Sequence, residues 1–293
     1  MYTILGGTLV GSSIELDITG ELPVSIEKVQ DNAEQNKKLG LKTYRSWQTD
    51  KTRLAVIGGG PSIDGNFEEI RNFDGDIWAI NGAFDWCRQR GIKATFFACD
   101  PHPIVKQWAA MADKAIVEIS CDPDVFEVLK GTEVYTFDTD QENGGIAGAA
   151  STASCAPHLA IRMGYRSVKF FGCESSYLPN KSHAYMDEDR KEQMIVRCGN
   201  HDFLTAPDLF LQAIGLSQYI RDLPEFLSNE DGGLLTAMVQ NPEYQVLWMS
   251  QGLVDLFGGK EKSLVVSPAY KDNKVSGAMA MADNLEAFGL DAA

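Results

Sequence analysis

From Arg53 onward, short apolar runs alternate with longer stretches of mixed polarity. Six runs stand out: RLAVIG (53–58), DIWAIN (76–81), ATFFACD (94–100), AIVEIS (115–120), EVYTFD (133–138) and SVKFFG (167–172). Each is four to six apolar or β-favouring residues, the length of a strand buried on both faces. Between them NFEEIRNF, GAFDWCRQRG, PIVKQWAAMA, PDVFEVLKG and STASCAPHLAIRMG carry apolar residues at helical spacing, often closing on glycine. Repeated strand-helix alternation implies right-handed crossovers. The pattern therefore predicts an α/β fold, a Rossmann-like three-layer sandwich with a mainly parallel sheet.

The flanks read differently. Residues 1–48 form an N-terminal attachment, with a short β-like start and a polar helix within SIEKVQDNAEQNKKLGLKTY. Residues 49–235 form the Rossmann-like domain and include APDLFLQAIGLSQYIRDL, an amphipathic helix with Pro207 in its first turn. Residues 236–293, with PEYQVLWMSQGLVDLFGG and SGAMAMADNLEAFGL, read as a mostly helical C-terminal cap or oligomer contact, their Met and Leu stripes serving as packing surface.

Composition narrows the function classes. With 293 residues, 44% hydrophobic and 23% charged, the chain can bury a sizeable core. No apolar run approaches the roughly 18 to 20 residues that span a bilayer, and the first residues lack a basic start and cleavage pattern, so a cytoplasmic location is expected. Six cysteines without a C-x-x-C pair read as buried reduced thiols. A formal net charge of −15 repels polyanions and makes nucleic acid an unsuitable general partner. Lys37, Lys38, Lys42 and Arg45 are read as a solvated helix face.

Candidate chemistry gathers at strand ends. LAVIGGGPSIDG (54–65) leaves the first strand through Gly58, Gly59 and Gly60, followed by Pro61 and Ser62. Bare backbone at such a turn lets a ligand approach closely and can aim amide N–H groups at a phosphate. The stretch is neither G-x-G-x-x-G nor a P-loop, since it has no third glycine at the right offset and no lysine beside a Ser or Thr. Asn81 and Gly82 follow the second strand, Asp100, Pro101 and His102 the third, and Glu174, Ser175 and Tyr177 a later one. Each alone is also explained by helix capping or a turn. Together they place polar groups along one edge of the sheet.

At these residues the chain resembles a known group. VIGGGPSI, AINGAFDWCRQRGIKATFFACDPHP, ASTASCAPHLAIRMGYRSVKFFGCESSY, KSHAY and NEDGGLL look like the 6-hydroxymethylpterin diphosphokinase MptE-like family, which includes domains of the motility accessory factors that glycosylate flagellin. The chain is also similar to bacterial sialyltransferases that use CMP-sialic acid, and the resemblance covers roughly residues 50 to 235. It implies a nucleotide lying across Gly58 to Ser62, Asn81 near ribose or phosphate, and Ser151 and Thr152 contacting the donor. It also implies phosphate-binding roles for Tyr177 and for His183 and Tyr185 of SHAY, with His201 near the place of a catalytic histidine. The sequence departs from the sialyltransferase pattern at the glycine turn, which lacks its asparagine, at Glu174 in place of an aspartate, and at Ala153 in place of a glycine.

Three functions follow as expectations. In the first, a glycosyltransferase takes a CMP-nonulosonate-like sugar to a small-molecule or glycan acceptor without a required cofactor. His201 is then the general base, while His183, Tyr185 and Tyr177 stabilise the leaving phosphate. In the second, a diphosphokinase uses ATP and magnesium held by Asp100 and Glu174, because no phosphate-loop lysine is present. The third is a nucleotide-binding protein that kept the fold and lost the chemistry. His158 reads as structural, and His102 as closing the DPHP turn.

Overall fold

A computed structural model describes residues 24–139, 145–146, 151–178, 183–185, 193–229 and 231–249, together with the backbone of two short antiparallel strands, β1 (Gly7–Leu9) and β2 (Ser12–Ile14). The polar helix of the N-terminal attachment is α1 (Ile26–Lys37), capped by Ser25, whose side chain accepts the Lys28 N–H. Its inward face is not apolar. The buried Asn32 donates to the Ser120 carbonyl at 3.2 Å, and the buried Asn36 donates to those of Ile119 and Cys121 at 2.9 and 2.8 Å.

The sequence then enters the sheet through the short strand β3 (Lys42–Thr43) and builds β4 (Arg53–Ile57), β5 (Asp76–Ile80), β6 (Thr95–Ala98), β7 (Lys114–Glu118) and β8 (Glu133–Phe137). The helices α2 (Phe67–Arg71), α3 (Ala83–Gln89), α4 (Lys106–Ala109) and α5 (Pro123–Val128) lie between them. After α6 (Thr152–Arg162) comes β9 (Ser167–Phe171). β4 to β8 run in order across the sheet, β9 returns to the other side of β4, and every pairing in the eight-stranded sheet is parallel. The strand order thus reverses between β4 and β9, where an open α/β sheet forms its ligand crevice. This is the α/β Rossmann-like fold that the apolar runs predict.

Period-2 alternation within each strand supplies both faces of the sheet. Leu54, Val56, Trp78 and Phe97 face Leu159 of α6 and Leu216 of α7 (Pro207–Asp222). Ala55, Ile57, Ala79 and Phe96 face Ile70, Phe84, Trp86 and Phe126 on the other side. Among the described residues, no helix is long and apolar enough to cross a membrane.

Beyond β9 the structure departs from the reading of the sequence. β10 (Met194–Cys198) and β11 (His201–Thr205) form a hairpin, β12 (Leu227–Asn229) adds an edge strand beside β9, and α8 (Gly233–Gln240) follows. Residues 244–249, expected to be helical, are instead β13 (Tyr244–Met249), antiparallel to β10. Its run YQVLWM is rich in β-favouring side chains. The small sheet closes on α7 and α8 through Val196, Phe210, Met238 and Val246. The remainder of the expected helical region, 250–293, lies outside the described residues.

Candidate functional site

A cavity of about 420 Å³ opens at the carboxyl edge of the sheet, at the β4/β9 reversal. Gly58, Gly59 and Gly60 line it from the exit of β4, Asn81 from that of β5, Asp100 from that of β6, and Glu174 from that of β9. Ser151 and Thr152 reach it from the start of α6, and His183 and Tyr185 close another side. These ten residues, all singled out from the sequence, therefore share one cavity.

Much of the glycine turn's backbone is engaged within the protein, while Gly59 lines the cavity between two such residues. Gly58 N–H donates to the Phe171 carbonyl at 2.7 Å, Gly60 N–H to that of Gly172 at 2.8 Å, and Ser62 N–H to the Glu174 carboxylate at 2.8 Å. Those amides hold the β9 turn and are not open to a phosphate. Bare backbone is needed for the approach of one strand exit to another. A Cβ on Gly58 would lie 2.3 Å from the Gly172 carbonyl oxygen, and one on Gly172, at φ +67°, would lie 2.5 Å from that of Gly58. On Gly60 it would meet a Glu174 carboxylate oxygen at 2.0 Å. Pro61 is buried, and Ser62 serves Glu174 with its hydroxyl as well, at 2.9 Å.

The amides suited to an anion are those of α6. Ser151 caps this helix by accepting the Ser154 N–H at 3.2 Å, which leaves the first two helical amides, Thr152 and Ala153, without intrahelical acceptors at the cavity wall. Asn81, on the same cavity wall, adopts a left-handed conformation, φ +45°, and its buried Oδ1 has no hydrogen-bond partner among the described residues. Sequence reasoning passed over other wall residues. Val24 comes from the segment just before α1 and Val29 from α1 itself, Asp208 and Gln212 from the first turns of α7, and Cys99 from the residue after β6. The α7 pair was foreshadowed only by Pro207, which marks where that helix begins.

Glu174 is the most perturbed acid of the cavity. Burial pushes its carboxyl up to about 7, the charge of Asp231 adds to the push, and the bonds from Ser62 oppose it. Both of its oxygens are occupied by Ser62, and Asp100 accepts the His102 N–H at 2.9 Å. Among the described residues no three His, Cys, Asp or Glu side chains are placed to share a metal ion. The pair read as magnesium ligands is thus tied into turns, Glu174 through both of its oxygens and Asp100 through one. Cys99 and Cys155 meet with sulfurs 3.6 Å apart, and that contact together with burial holds the Cys99 thiol well above its ordinary value. All six cysteines are free thiols.

Two expected residues stand apart. His201 is exposed at the start of β11, its ring 6.3 Å from that of Phe203, and it is not part of the cavity wall. The far end of the same strand is what reaches the site, since Thr205 donates to the carbonyl of the wall residue Ser175 at 2.8 Å. Four steps along a strand put His201 about 13 Å back from there. Tyr177, half-buried, binds β11 through its N–H to the Leu204 carbonyl at 2.8 Å and also lies off the wall. His102 accepts the Ile104 N–H and closes its turn, and His158 packs edge-on against Tyr219 at 4.9 Å.

Tyr185 has a particular seat. A Cβ on Gly59 would lie 2.6 Å from its hydroxyl, and one on Gly82 would lie 2.3 Å from its ring. Gly82, expected beside the nucleotide, therefore serves as the bed for this ring. The Ala184 N–H donates to the Gly59 carbonyl at 2.9 Å and fixes His183 and Tyr185 over the glycine turn.

No protein-family model and no curated protein match the chain. Among solved structures, one described as MAf glycosyltransferase from Magnetospirillum magneticum AMB-1 is similar in fold, with a TM-score of 0.53 and 17% sequence identity. The similarity covers 73% of this chain and 38% of that one, so the chain spans well under half the length of this neighbour.

Proposed function

We propose that the chain is a glycosyltransferase that takes its sugar from a nucleotide-activated donor, of the CMP-nonulosonate kind that the MptE-like and sialyltransferase-like resemblance implies. The observation that carries this reading is the cavity at the strand-order reversal, where the amino end of α6 faces His183 and Tyr185. The fold similarity to a protein named as a glycosyltransferase supports the same class.

In this reading the α6 amides receive the donor phosphate, and Asn81 and Ser151 orient the nucleotide. The acceptor hydroxyl gives its proton to the His183 imidazole as its oxygen bonds to the anomeric carbon. The bond from that carbon to the phosphate oxygen breaks, and the phosphate leaves with the electron pair, stabilised by the Tyr185 hydroxyl. An imidazole suits the proton transfer because its ordinary pKa, about 6.5, lies near working pH. His183 takes the role first given to His201 because it lines the cavity and His201 does not.

Titration with CMP, ATP and GTP, each with and without magnesium, tests the reading. CMP binding that does not need magnesium is expected. Magnesium-dependent ATP binding with release of AMP would instead make the protein a diphosphokinase, and silence across the panel would leave it without nucleotide chemistry. His183→Ala is expected to lower transfer by roughly two to four orders of magnitude with donor binding kept, while His201→Ala stays close to normal.

A further inference from the structure

Tyr185 borders two cavities. The second, of about 450 Å³, lies on the side of the ring that rests on Gly82, between α3 and α4. That volume falls in the ~300–1,000 Å³ range of small-molecule sites. Its apolar wall includes the half-buried rings of Trp108 and Tyr185 together with Met111 and Ala184.

The rest of the lining is planar and polar. Asp85 is oriented by Arg88 at 3.1 Å and Gln89 at 2.7 Å. Arg90 lies over the Trp86 ring at 4.3 Å and reaches Asp64 at 3.3 Å, while Asp64 also accepts the Trp86 indole N–H at 2.9 Å. Each charge is thereby matched by an opposite one beside it, so the cavity favours a neutral ligand over an ion. Neither the Gln107 amide nor the Trp108 indole N–H makes a hydrogen bond within the described residues, which leaves donors and an acceptor open to a ligand.

A pyranose meets this chemistry on each count. Its ring has a flat C–H face suited to an aromatic side chain, and its hydroxyls both donate and accept around the rim. It also carries no charge. We propose that this second cavity is the acceptor subsite and binds a neutral sugar ring against Trp108, with Asp85, Gln89, Arg90 and Gln107 reading its hydroxyls. The purpose of the site rests on the transferase reading, but sugar binding there does not. Tyr185, common to both cavities, sets one end of the bound sugar beside the donor.

Fluorescence titration of the whole chain with methyl glucoside, galactoside, mannoside and N-acetylglucosaminide, in the absence of nucleotide, tests the inference. At least one sugar is expected to bind saturably. Trp108→Ala and Gln107→Ala are each expected to weaken it by about ten-fold, with CMP binding changed by less than about two-fold. Gln107 is exposed, so its variant keeps the test valid even where loss of Trp108 disturbs folding. No binding by any of the four sugars overturns the proposal, as does binding that both variants retain. So does saturable binding of a Ser- and Thr-containing peptide while the sugars stay silent. Sugar binding without any nucleotide binding upholds this site and removes the transferase reading, whereas transfer unaffected by either variant does the reverse.

Discussion

At the scale of single residues, the glycines of the β4 exit divide by what they face. Gly58 opposes a backbone carbonyl and Gly60 opposes a side chain. Gly58→Ala is therefore expected to destabilise by about 2–4 kcal/mol, and no change at Glu174 should relieve it. Gly60→Ala should cost a similar amount in the parent chain but much less in a Glu174→Ala background, a non-additivity that denaturant unfolding of the double variant reads directly. Glu174 also titrates. Its carboxyl is raised from 4.5 to about 7 in the folded chain, so the native state takes up a proton in that window. The sign is fixed by this uptake: stability from this group is complete below about 4.5 and lost as pH rises to about 7, by at most about 3 kcal/mol. Glu174→Gln should flatten that slope in unfolding measured across pH 4.5 to 7. The sequence marks Gly58 and Glu174 as residues of interest but not their use, because the partner of Gly58 lies more than a hundred positions away and turn composition carries no trace of it.

At the scale of elements, α1 is held by amide side chains where most helices use an apolar stripe. Asn36→Ala strands the carbonyls of Ile119 and Cys121, for a cost of about 1–3 kcal/mol. Hydrogen exchange should show the loss in α1, with protection of β4 to β9 unchanged. Since Val24 and Val29 form part of the cavity wall, nucleotide affinity should fall in the same variant. The six central strands were legible because each is buried on both faces and reads as a continuous apolar run. The hairpin β10–β11 was not, because Arg197 and Asp202 pair across it and break the apolar signal, and the helical reading of β13 failed because its partner β10 lies far back in the chain. The position of His201 away from the cavity wall has the same root: nearness to α7 in sequence says nothing of which end of β11 meets the cavity.

For the whole molecule, charge and fold pull in opposite directions on an anionic donor. The net charge of −15 repels it at long range, while the α6 terminus attracts it only within the last few ångströms. Association of CMP should consequently speed up as salt is raised from low to physiological strength, a dependence stopped-flow measurement can follow and the reverse of that for a basic nucleotide-binding protein. The parallel α/β class follows from strand-helix alternation, so the fold was open to sequence reasoning well before the site was, while the strand order and its reversal between β4 and β9 came from the structure. What composition could not supply was that the β4 exit turn is also packed against the β9 exit turn.

The reciprocal contact of Gly58 and Gly172 reaches beyond this chain. Neither position can acquire a side chain unless the two exits part, so both must stay glycine in any relative that retains this crevice. A pair of glycines 114 residues apart, each ending a buried strand, is thus a search pattern for distant kin. It would recognise them by shape after overall resemblance has faded.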